Sequence, residues 1–237
     1  MATVEDKQDH GAVASMVPPA VSPARLEAFS DGVFAIAVTL LILEVKVSGD
    51  ESLSLARQLR AAWPSYAAYL ISFAMIGTMW INHHGMFNAL KSVDHPLVVA
   101  NMALLLVVSF VPFPTKLVGE HLRGGTFADR RTAVLLYDAT FIAISIVFPL
   151  LWWTITRGLA LTRPHVTPAV VRAGYRRNLV GGPLYAITFL VALKYPSVSL
   201  ALSGALACFY LMPHKGSRSA TQTSSSSAAP SGVRRQS

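Results

Sequence analysis

The sequence predicts an all-α integral membrane protein with six membrane-spanning helices, and three observations carry that prediction. Hydrophobic residues make up 53% of the chain and charged residues only 14%, where a soluble domain carries about 25% charged residues. Apolar runs that approach the roughly 20 residues needed to cross a hydrocarbon core recur six times. None of these runs alternates with a period of two. Helices are therefore the only spanning structure left that bonds every backbone group internally.

In chain order, residues 1–24 read as a disordered tail. They hold early acids and three prolines, and they lack the apolar core of a signal peptide. The six spans follow at about Arg25–Val47, Trp63–Phe87, Pro96–Leu117, Thr132–Thr156, Asn178–Leu193 and Ser197–Met212. The last two are short for a perpendicular crossing. Residues 25–213 thus form one six-helix domain, and residues 214–237 a second, Ser-rich disordered tail.

With the N-terminus placed in the cytoplasm, twelve Lys and Arg fall on the cytoplasmic side and eight outside. That bias predicts cytoplasmic N- and C-termini. The net charge of +8 is assigned to topology and to anionic lipid headgroups. Nucleic acid is not expected as a partner, because no basic patch is interleaved with aromatic residues. The lone cysteine, Cys208, has no internal disulfide partner and reads as packing within an apolar run.

The first span sorts onto faces. With Ile36 set at zero and about 100° per residue, Phe29, Gly32, Thr39, Leu40 and Leu43 all fall within about 60° of it. Asp31 falls at about −140° on the same scale, away from this stripe. Ile36, Leu40 and Leu43 by themselves are what most membrane helices carry as packing or lipid-facing residues. Asp31 is the unusual residue, since an acid within a membrane helix is costly. It is either solvated at the helix end or satisfied by a neighbouring helix. Glu27 and Asp31 are four residues apart and repel, so each needs its own partner.

Donors occur in "TMWINHH" at the end of the second span, as Trp80, Asn82, His83 and His84. A hydrogen-bond network joining Asp31, Trp80, Asn82 and a histidine is the favoured reading. Metal binding by His83, His84 and His95 is the lesser one, because adjacent histidines diverge by about 100° and no carboxylate follows at ligand spacing. No metal or cofactor is expected. Asp94, next to His95 and ahead of Pro96, reads as a helix cap. Asp138 is a second intramembrane acid, either functional or bonded to a neighbouring helix. No nucleophile elbow, zinc motif, phosphate loop or glycine fingerprint occurs, so the chain is not expected to be an enzyme.

"RLEAFSDG", with Arg25, Phe29, Ser30 and Asp31 and the apolar "VFAIAVTLLIL" that follows, fits an R-x-x-x-F-S-D signature. It resembles the prokaryotic branch of the transmembrane protein 175 family, whose animal member is a potassium channel of endosomes and lysosomes. The Trp-Asn-His end of the second span fits as well. The resemblance implies a homotetramer of six-helix subunits in which the first helix lines a central pore. It implies that Ile36, Leu40 and Leu43 form the constriction and that Thr39 tunes potassium over sodium. It also implies that Arg25, Phe29, Ser30, Asp31, Trp80, Asn82 and His83 form a signature and structural network.

The expected activity is that of a potassium-permeable, passive cation channel of the plasma membrane, without a carbonyl selectivity filter. Potassium ions, the lipid bilayer and further copies of the chain are its expected partners. A proton-coupled secondary transporter using intramembrane Asp and His residues is the alternative.

Overall fold

The computed structural model describes residues 21–47, 52–164 and 166–211. Among them the fold is all-helical, with one isolated antiparallel bridge, Leu90 to Thr162. The helices are α1 (Pro23–Leu43), α2 (Leu55–Ala61), α3 (Trp63–Phe87), α4 (His95–Phe110), α5 (Pro112–Gly124), α6 (Phe127–Thr156), α7 (Pro168–Leu179), α8 (Gly181–Ala192) and α9 (Pro196–Leu211). A 3₁₀ turn, Arg157–Leu159, closes α6. Of the expected tails, residues 1–20 and 214–237 lie outside the described residues; Ser22 caps α1, and Pro23 and Ala24 already belong to it.

Proline and capping residues set most helix starts. Pro23, Pro64, Pro96, Pro112 and Pro168 all sit in first turns, where a missing N–H costs nothing. Ser22 Oγ, Asp94 Oδ1 and Thr167 Oγ1 accept from the backbone N–H three residues on, and Thr126 with Asp129 forms a capping box ahead of α6.

The third predicted span departs from a single helix. Pro112 divides it into α4 and α5, because proline clashes with the turn before it and donates no hydrogen bond. The polar helices α2 and α7 are also absent from the sequence reading.

Among the described residues, three stretches are long and apolar enough to cross a membrane: Pro23–Leu43, His95–Leu122 (α4 continued by α5) and Phe127–Thr156. Helix α3 has 25 residues but ends on the polar Asn82, His83 and His84. Helices α8 and α9 have only 12 and 16 residues, below the roughly 20 of a perpendicular span.

Helix α6 is the hub and packs on α4, α5, α7, α8 and α9, while α1 packs on α3, α4 and α5. Tyr137, Phe141, Met75, Phe34 and Leu41 are among the largest side chains sealed in the core. Buried Ser72 on α3 bonds Thr115 of α5 at 2.8 Å and Tyr137 of α6 at 3.1 Å, which ties three helices by polar contacts. Buried Asp138 of α6 accepts from Ser199 at 2.6 Å and Ser203 at 3.2 Å, both on α9. Cys208, expected as packing, is instead exposed on α9, because the face of α9 that carries it has no neighbour among the described residues.

The two ends of the bundle differ in chemistry. At one end Lys46 bonds Glu120 at 3.0 Å and Lys116 lies 3.9 Å from Glu44. The hydrogen bond to Glu120 raises the Lys46 ammonium above the ordinary lysine pKa. At the other end Arg157 pairs with Asp94, and Arg163 Nε donates to the carbonyl of Leu90 at 3.0 Å.

Candidate functional site

Helix α1 buries one face and leaves another bare. Leu26, Ser30, Phe34, Ala37 and Leu41 are sealed against the bundle. Their mean direction lies about 120° from Ile36 at 100° per residue. Phe29, Ile36, Leu40 and Leu43 are 56%, 60%, 40% and 70% exposed, and Gly32, Thr39 and Arg25 share that open side. The stripe is thus apolar over most of its length, uncovered among the described residues, and backed by a packed face.

Thr39 Oγ1 donates to the carbonyl of Ile36 at 2.9 Å. Its proton is used within the helix, so its oxygen lone pairs face outward among the apolar side chains.

The polar residues behind the stripe form two separate groups rather than one network. Helices α1 and α3 run antiparallel, and each presents two polar side chains four residues apart. Trp80 Nε1 donates to Asp31 Oδ1 at 2.9 Å, and His84 Nδ1 meets Glu27 Oε1 at 2.8 Å. The rings of Trp80 and His84 stack with centroids 6.1 Å apart. Each of the two repelling acids on α1 therefore has its own partner on α3. Asp31 is half-buried rather than sealed behind the stripe, because it sits at the margin of the α1–α3 contact.

His83 points away from this pair, into the core. Its Nε2 lies 2.9 Å from Asn101 Oδ1. Asn101 Nδ2 donates to Ser30 Oγ at 2.9 Å, and Ser30 Oγ donates to the Leu26 carbonyl at 2.8 Å. With the Asn101 amide nitrogen committed to Ser30, His83 Nε2 carries the proton. Phe34 and Phe87 flank its ring at 5.3 and 4.3 Å.

Asn82 is half-buried and belongs to neither group. Arg25 is exposed, and among the described residues it forms no ion pair with Asp31. Among the described residues no hydrogen bond or ion pair therefore links Asp31 to His83, Asn82 or Arg25, and helix register turns His83 to Asn101 instead.

The sequence reading missed Asn101. Its signal was a lone amide in the apolar run "VVANMALLL", where a polar side chain needs a partner on another helix. Among the described residues no three His, Cys, Asp or Glu side chains gather as a metal site would require.

Comparison with known proteins places this arrangement. The model of one family, "Endosomal/lysosomal potassium channel TMEM175", matches residues 25–112, which hold most of α1, all of α2, α3 and α4 and the first residue of α5. A protein named as a potassium channel from Streptomyces collinus is 43% identical over 189 residues, covering 78% of this chain and 90% of that protein. The human endosomal/lysosomal proton channel TMEM175 is 29% identical over 81% of this chain, which spans 39% of the human protein's length. A crystal structure described as a lysosomal potassium-selective channel TMEM175 homolog from Chamaesiphon minutus superposes with a TM-score of 0.71 at 38% identity. That match covers 79% of this chain and 95% of the other. With 43% identity sustained over nine-tenths of a relative and the helical packing shared with a solved homolog, the chain belongs to the TMEM175 family.

Proposed function

We propose that this chain is the subunit of a potassium-permeable, passive cation channel of the plasma membrane, a homotetramer with six crossings per subunit. Four copies of α1 surround its axis. The observation that carries the reading is the uncovered apolar stripe of α1, bare at Ile36 and Leu43 and packed on its opposite face. A single helix makes no pore, whereas closed rotational symmetry brings four such stripes face to face. The relatives named as potassium channels support the choice of ion.

In this arrangement Ile36, Leu40 and Leu43 form stacked apolar rings. A narrow apolar ring dewets and blocks ions, and slight widening rehydrates it. Potassium sheds its hydration shell more readily than sodium, so it passes first. Thr39 lies between these rings with outward lone pairs, which favours a partly dehydrated cation. Asp31, held by Trp80, positions α1 rather than meeting the ions, and Arg25 at the open end of the stripe lies within reach of a neighbouring copy. Short α8 and α9 cross by tilting with their flanks, and the arginine-rich end of the bundle is cytoplasmic, together with both termini.

Purified protein in liposomes, loaded with potassium, sodium or caesium and followed at two pH values, tests the proposal. Potassium flux down its gradient that rises nearly linearly with concentration is expected. Absence of potassium flux refutes it. Proton permeation is the second reading, favoured by the name of the human relative. Saturable, pH-driven uptake would instead indicate a proton-coupled transporter. Against that alternative, no hydrogen bond among the described residues links Asp138 and its serines to the groups around Asp31 and His83.

A further inference from the structure

The last acid in the sequence is Asp138, and no Asp or Glu follows it to the C-terminus. Five arginines nevertheless cluster soon after, at positions 157, 163, 172, 176 and 177. At this end of the bundle the nearby acids are already engaged. Asp94 holds Arg157, Glu27 holds His84 and Asp31 holds Trp80. Arg172 and Arg176 on α7 are exposed and form no ion pair among the described residues.

Helix α7 is pinned in place. Trp152 Nε1 of α6 donates to the Val171 carbonyl at 3.2 Å. Gly174 lies so close to the Trp152 ring that an added Cβ would stand 2.6 Å from it. The side of α7 that carries the two arginines also carries Leu179 and leads into Val180, both about half exposed. Trp153, also half exposed, lies at the same level under Arg157, whose guanidinium carbon is 6.0 Å from its ring centroid. Arginines mixed with bare aliphatic side chains, level with tryptophans, are what a helix in the headgroup region of a bilayer presents.

We infer that α7 is an interfacial helix that docks anionic phospholipid headgroups, with Arg172 and Arg176 as the cationic contacts. The partner must bring the negative charge this end of the chain lacks. The apolar side chains beside the arginines select a lipid over a purely polar polyanion. The claim is independent of which ion the protein passes.

The test uses the full chain in neutral detergent with native mass spectrometry, titrated in parallel with phosphatidylglycerol and phosphatidylcholine. The wild type should retain phosphatidylglycerol preferentially. The R172Q/R176Q variant should lose that preference by roughly fivefold per arginine removed, and the R234Q/R235Q variant should keep it. The R172K/R176K variant should retain most of it, which guards against loss through misfolding. Equal retention of the two lipids by the wild type overturns the inference and assigns the arginines to an acidic protein partner. So does undiminished phosphatidylglycerol retention by the glutamine variant.

Discussion

Replacing Asn101 by leucine isolates the polar link that seats α1. Asn101 is fully buried and bonds two partners, His83 Nε2 and Ser30 Oγ, each at 2.9 Å. The two losses are unequal. Ser30 keeps its own bond to the Leu26 carbonyl, so it loses only an acceptor interaction. His83 Nε2–H is left with no partner in a fully buried site, and a stranded buried donor costs about 1–3 kcal/mol. Side-chain hydrogen bonds between membrane helices average nearer 0.6 kcal/mol, so about 1–2 kcal/mol is expected for the stranding, added to the strain of a larger side chain. His83→Phe preserves the ring stack with Phe87 and removes the donor. The double variant should therefore be more stable than the sum of the single losses by about 1–2 kcal/mol. Unfolding by SDS in mixed micelles, followed by far-ultraviolet circular dichroism, measures all three variants. Additivity of the two single effects to within about 0.5 kcal/mol would refute the linked-network account.

Ile36→Asn should place polar amides at the narrowest ring and raise cation leak in liposomes, sodium included; unchanged flux and selectivity would put the pore elsewhere. Asp31→Ala, which removes the acceptor for Trp80 Nε1, should lower the yield of tetramer on size-exclusion chromatography more than it alters selectivity, and Trp80→Phe should do the same. A stable tetramer with altered selectivity would mean that Asp31 faces the ions. Gly119→Ala should destabilise the protein by about 1–3 kcal/mol, because the new Cβ would stand 2.9 Å from Ser65 Oγ and 3.1 Å from Ser65 Cα; an unchanged thermal midpoint in detergent would show that α3 and α5 separate freely.

Several features were legible in the sequence because they are local. The stripe through Phe29, Ile36, Leu40 and Leu43 follows from helical spacing alone, and all four residues are bare in the folded chain. The need of Glu27 and Asp31 for separate partners follows from their four-residue spacing. Asp94 as a cap is legible from the proline two residues on, and its side chain accepts from Leu97 N. The proposal that the stripe faces a pore is not legible from spacing; it draws on the resemblance to the family.

Other features depend on how helices meet. Sequence alone determined that the chain is helical and apolar, that Asp94 caps a helix ahead of Pro96, which side of α1 is bulky, and that acids vanish after Asp138. Only the tertiary structure decided that His83 turns to Asn101 while His84 turns to Glu27. It also decided that Pro112 parts one apolar run into two helices and that α7 docks on Trp152. The physical reason is range. Helical periodicity and capping are set by neighbours within about four residues. The partner of a buried polar group is set by the register between helices, and adjacent residues on one helix face directions about 100° apart.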